Sequence, residues 1–399
     1  MATSDIDRLS DLPDELLVTI LSFLPTRVAA RTSILCRRFR HLCVVVWQTS
    51  PSLELISRDF RHRKTSTARF LTMVERTFLC RSLSHPLPSL HIEFSKYLNF
   101  CSLESESSFL SSLFDKARSL GVHHLTFEDS CFSPFGPTLP LIFSIDSLKS
   151  LSLPPVIVSR LDDSIFPPAV NLTNLKSLSI EKYYGDPDRL NRLLSQLCSL
   201  EDFSFELRNV TSFSLSNQTI RKLKLVVEFG GHEDIIELSL PSLKELHVQN
   251  YLFSGIPHFC GDMPSLEKAV LNSSSLRKDE TYPFPFFLKP SKDLPNFPDL
   301  KHLNATMCFH RYNFKAIATL LHQCPALESI MLVHKVPLSN SLTCSRNEND
   351  WRSMLPCKAD KVFYTNLHLG QHSEEFMKLK REGYMLSNIT RTPHPRYMC

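Results

Sequence analysis

The chain has 399 residues, with 45 Lys plus Arg against 41 Asp plus Glu and 42% hydrophobic composition. That supplies a core for one long domain or two to three ordinary ones and excludes wholesale disorder. A formal charge of +4 over this length creates no strong positive field, which argues against a general nucleic-acid or membrane-surface binder.

Leu supplies 62 residues and Ser 50, whereas Gly supplies only 9, so Gly-rich phosphate cradles have little material, and neither GxGxxG nor GxxxxGK[ST] occurs. Acidic residues precede any apolar stretch at the N-terminus, the wrong order for a signal peptide, so the chain is expected in the nucleus and/or cytoplasm. Apolar runs such as Val44-Val45-Val46-Trp47 fall far below the ~20 residues that span a bilayer. The 12 cysteines contain no CxxC pair and are expected to be buried thiols, with no metal site.

Residues 1–26 carry one base and five acids, and residues 27–81 carry twelve bases and three acids. Residues 13–24 read as a first helix: Pro13 suits the opening turn, Asp14 and Glu15 favour its positive end, and Leu16, Leu17, Ile20, Leu21 and Leu24 recur at helical spacing. Pro25 stops it. Thr26 is placed to cap a second helix through Val28, Ala29 and Ala30, and a third follows Arg37-Arg38 through Phe39, Leu42, Cys43 and Val46. So small a unit cannot bury both faces of its Leu-rich first helix, and a partner is expected to complete it.

These residues, from Asp7-Arg8-Leu9-Ser10-Asp11-Leu12-Pro13-Asp14-Glu15-Leu16-Leu17 through Ile20-Leu21-Ser22-Phe23-Leu24-Pro25 to Thr32-Ser33-Ile34-Leu35-Cys36-Arg37-Arg38-Phe39-Arg40, resemble a plant-type F-box over residues 7–50. Cys36 stands where that family usually has Ser, and Phe39 where it usually has Trp. Both keep approximate size and apolarity. The resemblance implies a contact with a Skp-family adaptor, and through it a cullin, made by Leu12, Pro13, Leu16, Leu17, Ile20, Leu21, Leu24, Pro25, Ile34, Arg38 and Phe39.

Residues 51–86 read as a partly helical linker whose basic run, Arg58 to Lys64, is taken as a solvated face rather than a nucleic-acid segment. Over 87–335 an apolar Leu-x-x-Leu-x-Leu pattern repeats, from Leu87/Leu90/Ile92 to Leu327/Ile330/Leu332. Its first anchors are separated by 35, 26, 27, 25, 20, 23, 23, 34 and 27 residues. This is mostly the leucine-rich-repeat period, so the expected fold is α/β: a three-helix unit followed by an irregular solenoid of about ten coils. Return helices are expected over Ser108–Leu120, closed by Gly121 in a left-handed cap, after Asp186-Pro187, and after Asn313. The repeats resemble those of plant F-box/leucine-rich-repeat proteins. Residues 336–399 read as a cap or a degenerate extra domain.

His123-His124, His232-Glu233-Asp234, His310, Asp162-Asp163 and Asp186-Pro187-Asp188 invite an acid–base or metal reading. Their spacing matches no catalytic or metal motif, so no catalytic residue and no cofactor is expected. The resemblance instead implies the substrate-recognition subunit of an SCF-type cullin-RING ubiquitin ligase, non-enzymatic in itself. The alternative is a scaffold or decoy whose helical unit does not dock. Residues between the anchors, among them Lys176, Arg221, Lys222, Lys244, His247 and Lys268, form the expected face for a protein substrate, a mixed-charge set poorly suited to nucleic acid.

Overall fold

The computed structural model describes residues 9, 11–60, 66–79, 81–94, 103–129, 139–157, 170–184, 187–208, 212–228, 235–250, 258–260, 263–273, 297–307, 324–334 and 362–365. The chain divides into two compact units, 1–181 and 182–399.

The first unit opens with α1 (Asp14–Ser22), α2 (Thr26–Thr32) and α3 (Arg37–Thr49). Leu17 and Leu21 of α1 pack on Phe39, Leu42, Cys43 and Val46 of α3, with Leu12, Val18 and Leu24 at the rim. Each apolar set recurs every three to four residues, so each helix presents one stripe to the other. Thr26 does not cap α2, which lacks a side-chain cap. Its hydroxyl accepts the backbone N–H of Glu54 at 3.0 Å, because Pro25 at the cap position already sets the entry geometry and frees Thr26 to hold the next element.

That element is a strand, so the segment read as a linker begins as sheet. β1 (Ser52–Ile56), α4 (Ser66–Val74), β2 (Ser89–Phe94), α5 (Leu103–Ser119), β3 (His124–Asp129), α6 (Leu139–Phe143), β4 (Ser150–Leu153), β5 (Val156–Ile157) and β6 (Ser177–Tyr184) follow. β1, β2, β3, β4 and β6 form parallel neighbours with the anchors aligned: Leu53, Leu90, Leu125, Leu151 and Leu178 are successive partners. The first anchor, which precedes β1, is a buried serine, Ser50, which is why a search for apolar residues starts one strand too late. Phe94 meets Phe70 of α4 and Phe127 of β3 edge-on, with centroids at 5.8 and 5.4 Å. Phe114 of α5 closes the aromatic chain on Phe127. Helix α5 ends at Gly121 with φ +65. There Val122 N–H bonds to Ala117 C=O and Gly121 N–H to Arg118 C=O, the left-handed cap expected from the sequence.

The second unit contains α7 (Pro187–Gln196), β7 (Asp202–Arg208), β8 (Ser212–Ser216), β9 (Lys222–Glu228), β10 (Ile235–Ser239), β11 (Glu245–Asn250), β12 (His258–Cys260), β13 (Lys268–Ser273), β14 (His302–Met307), β15 (Ser329–His334) and β16 (Val362–Thr365). β7, β9, β11, β13, β14, β15 and β16 are successive neighbours in one sheet, while β12, β10 and β8 make a second, three-stranded one. The short coils therefore return by strands, not by helices. An extended residue advances about 3.3 Å against ~1.5 Å in a helix, so an extended return crosses a short coil with fewer residues. β16 adds a strand from the C-terminal segment beside β15. The return helix expected after Asn313 and most of residues 336–399 lie outside the described residues.

Candidate functional site

The eleven residues expected to meet an adaptor separate into three groups. Pro13, Leu16, Ile20, Pro25 and Ile34 are exposed, and Leu12 and Leu24 are half-buried. Leu17, Leu21 and Phe39 are core residues. As placed they hold α1 to α3 and offer no surface, a correction to their expected role: helical periodicity selects a stripe without saying which part faces inward. Arg38 is also engaged internally. Its guanidinium pairs with Asp14 at 2.6 Å and bonds to Leu12 C=O, bracing the start of α3 against the start of α1.

Two further exposed apolar residues, Phe23 and Leu35, were not selected from the sequence. Leu16, Ile20, Phe23, Ile34 and Leu35 are 51%, 42%, 82%, 80% and 68% exposed. A unit this small has only one core to fill, and α1 and α3 fill it with each other, so these apolar side chains remain outside. Phe23 and Leu35 carried a signal in that both follow the last turn of a helix, where no core stripe continues. Of the two departures in the motif, Phe39 is internal and Cys36 is exposed.

Arg81 was not singled out from the sequence. It is 2% exposed and donates to Trp47 C=O at 2.8 Å and Ser50 C=O at 2.7 Å, at the end of α3. It also donates to His85 and Pro86 C=O, each at 3.3 Å, on the approach to β2, while its own carbonyl accepts Lys116 Nζ from α5. Burial lowers its pKa. Carbonyl dipoles at a helix C-terminus stabilise this cation in place of a carboxylate. The arrangement fixes the three-helix unit to the first strands.

On the strands and at their entries, Lys176 belongs to the first unit and Arg221, Lys222, Lys244, His247 and Lys268 to the second. The carbonyl after each first anchor accepts two N–H groups from the next coil: Arg221 C=O takes Lys244 and Glu245, and Lys244 C=O takes Glu267 and Lys268. This aligns the intervening side chains. Lys222 Nζ lies 3.8 Å from Glu245 and Lys244 Nζ 2.9 Å from Glu267. The hydrogen bond from Lys244 holds the Glu267 carboxyl below its usual range. His247 Nε2 faces Asn272 Nδ2 at 3.2 Å, and burial, then Lys224 and Lys268, hold its pKa down.

Arg58 pairs with Glu93 at 3.0 Å, while Arg61 to Lys64 lie outside the described residues, as do Asp162-Asp163, Asp186, His232-Glu233-Asp234 and His310. The backbone N–H groups of His123 and His124 both donate to Pro88 C=O, which places them at a strand entry. Among the described residues no group of three His, Cys, Asp or Glu side chains is arranged to hold a metal ion, and no helix is long and apolar enough to cross a membrane.

The F-box domain family matches residues 9–46, the segment that builds α1 to α3. An Arabidopsis thaliana F-box/FBD/LRR-repeat protein is 33% identical over 305 residues, covering 68% of this chain and 63% of the relative. The chain thus spans less than two thirds of that relative's length. An F-box/LRR-repeat protein from the same plant is 31% identical over 299 residues, covering 68% of this chain and 76% of its own length. A third, also named F-box/LRR-repeat, is 24% identical over 425 residues, covering 96% of this chain and 93% of itself. With an F-box segment, in-register leucine anchors and relatives of this likeness, the chain belongs to the plant F-box/LRR-repeat proteins.

Proposed function

We propose that this protein is the substrate-recognition subunit of an SCF-type cullin-RING ubiquitin ligase, acting in the nucleus and/or cytoplasm. Residues 7–50 dock a Skp-family adaptor, and through it a cullin, while the strands from β1 onward take a protein substrate. The chain performs no chemistry itself. Its contribution is to hold a substrate near a charged conjugating enzyme, raising effective concentration.

The observation that carries this reading is the exposed apolar set Leu16, Ile20, Phe23, Ile34 and Leu35 on a segment matching the F-box. Five large apolar side chains on so small a unit favour association, because covering them removes apolar area from water at ~25 cal/mol per Å2. Of the expected contact residues, Pro13 and Pro25 are exposed as well and Leu12 and Leu24 half-buried. Phe39 lies in the core, so its departure from the usual residue leaves the docking surface intact.

The test is co-purification of the full chain with a recombinant Skp-family adaptor. A 1:1 complex is expected, lost in Leu16→Glu/Ile20→Glu while far-ultraviolet circular dichroism is unchanged. A folded wild-type chain that binds no such adaptor would overturn the reading and leave an LRR-repeat scaffold.

A further inference from the structure

Between the second and third anchors of successive strands in the second unit, one outward row runs Ser204, Lys224, His247, Val270, Asn304 and Met331. The adjacent row runs Asp202, Lys222, Glu245, Lys268, His302 and Ser329. Charges in these rows and at the strand entries beside them are used unequally. Lys222 and Lys244 are engaged by Glu245 and Glu267, whereas the side-chain ammonium groups of Lys224 and Lys268 make no hydrogen bond or ion pair with any described residue.

Lys224 and Lys268 stand on the strands either side of His247. The Asn272 amide nitrogen lies 3.2 Å from His247 Nε2, which engages that edge of the ring. The charge of the two lysines reaches the imidazole, since both contribute to holding its pKa down. Further along the same row the Asn304 side-chain oxygen is buried, with no hydrogen-bond partner among the described residues. Neighbouring strands lie about 4.8 Å apart, so the three strand steps from Lys224 to Asn304 span ~14 Å, roughly four residues of an extended chain crossing the sheet.

We infer that this row and the lysine beside it receive an extended acidic segment of a protein partner, its anionic side chain held by Lys224, Lys268 and His247. The inference rests on the reading of the strands as the substrate-binding part. Nucleic acid fits the face less well, because Asp202, Glu245, Glu267 and Glu328 lie among the bases and repel successive phosphates. An isolated acidic side chain avoids them.

The probe is an array of dodecapeptides with one residue fixed and the others mixed, exposed to the full chain in complex with the adaptor. Peptides fixing Asp or Glu are expected to bind more strongly than those fixing Asn, Gln, Lys or Arg. Phosphoserine peptides separate phosphate from carboxylate as the preferred anion. Lys224→Ala/Lys268→Ala should reduce the acidic preference about tenfold, the equivalent of ~1.4 kcal/mol, while Lys222→Ala/Lys244→Ala retains it and both keep the adaptor. An acidic preference that is absent, or unchanged by Lys224→Ala/Lys268→Ala, overturns this inference alone. Failure of every peptide to bind while the adaptor stays bound overturns the substrate role of the strands as well. Displacement by a single-stranded oligonucleotide, equal in wild type and Lys224→Ala/Lys268→Ala, assigns the face to nucleic acid and overturns it too.

Discussion

Replacing Arg81 with Met keeps most of the side chain's length and removes its five donors. The carbonyls of Trp47 and Ser50, at 2.8 and 2.7 Å, lose charge-assisted hydrogen bonds. Those of His85 and Pro86, at 3.3 Å, lose weaker ones. A buried acceptor left without a donor costs about 1–3 kcal/mol, so the two short bonds dominate, and relief from desolvating the guanidinium offsets part of the loss. The expected destabilisation is about 3–5 kcal/mol. Arg81→Lys should lie between, because one ammonium cannot reach acceptors on two sides. Trp47 reports the change directly, since its carbonyl is one of the acceptors: urea unfolding is followed by its fluorescence in a Trp351→Phe background, with amide exchange over residues 47–52 in parallel. A loss below ~1 kcal/mol for Arg81→Met, with protection of those amides unchanged, would refute the claim that Arg81 fixes α3 to the first strands.

The division of the F-box residues is checked by paired truncations. Phe39→Ala should cost about 3–5 kcal/mol as a core cavity, whereas Leu16→Ala should stay within ~0.5 kcal/mol in the free chain and weaken adaptor binding; urea midpoints and calorimetric titration separate the two. At Gly121 nothing lies within 4 Å of an added Cβ, so Gly121→Ala should cost only the left-handed backbone penalty of about 1–2 kcal/mol, and Gly121→Asn less, by the same unfolding curve. His247 is held below its ordinary pKa in the folded chain, so the unfolded chain binds that proton more readily. Its contribution to stability is present above about pH 6.5 and is lost as the pH falls from there through the folded pKa, and His247→Gln should flatten that part of the acid-side curve.

The legible part of the fold is the part governed by period. A parallel strand sends alternate side chains inward, so Leu246 and Val248 mark one strand and align with Leu223 and Leu225 of its neighbour, and the spacing of such pairs is the coil length. What has no periodic signature stayed hidden. β8, β10 and β12 return the short coils, and their short runs resemble the strands they serve. The anchor that precedes β1 is polar, Ser50. Arg81 acquires its two shortest hydrogen bonds through contacts 31 and 34 residues away in the chain, which no local pattern encodes. At the F-box the motif was readable, but the inward or outward sense of each apolar residue was not, because Leu17 and Leu16 obey the same spacing.

The charged face shows the same limit. Lys222, Lys244 and Lys268 look equivalent as bases between anchors, yet although the strand register sets Glu245 between Lys222 and Lys268, its carboxylate pairs with Lys222 and leaves the Lys268 side chain unpaired among the described residues. Lys244 donates to Glu267 on the following strand. Their substitutions should therefore diverge. Lys222→Glu/Lys244→Glu places carboxylates beside Glu245 and Glu267, so the urea midpoint should fall at low salt and recover toward wild type at high salt, as exposed like charges are screened. Lys224→Glu/Lys268→Glu breaks no observed ion pair and should leave the midpoint higher than in the first variant while abolishing the acidic-peptide preference. The contrast is informative because both variants change net charge equally. Equal midpoints at low salt would show that the cross-strand pairs hold no register and that the two sets of lysines are interchangeable, removing the structural basis for assigning them different tasks.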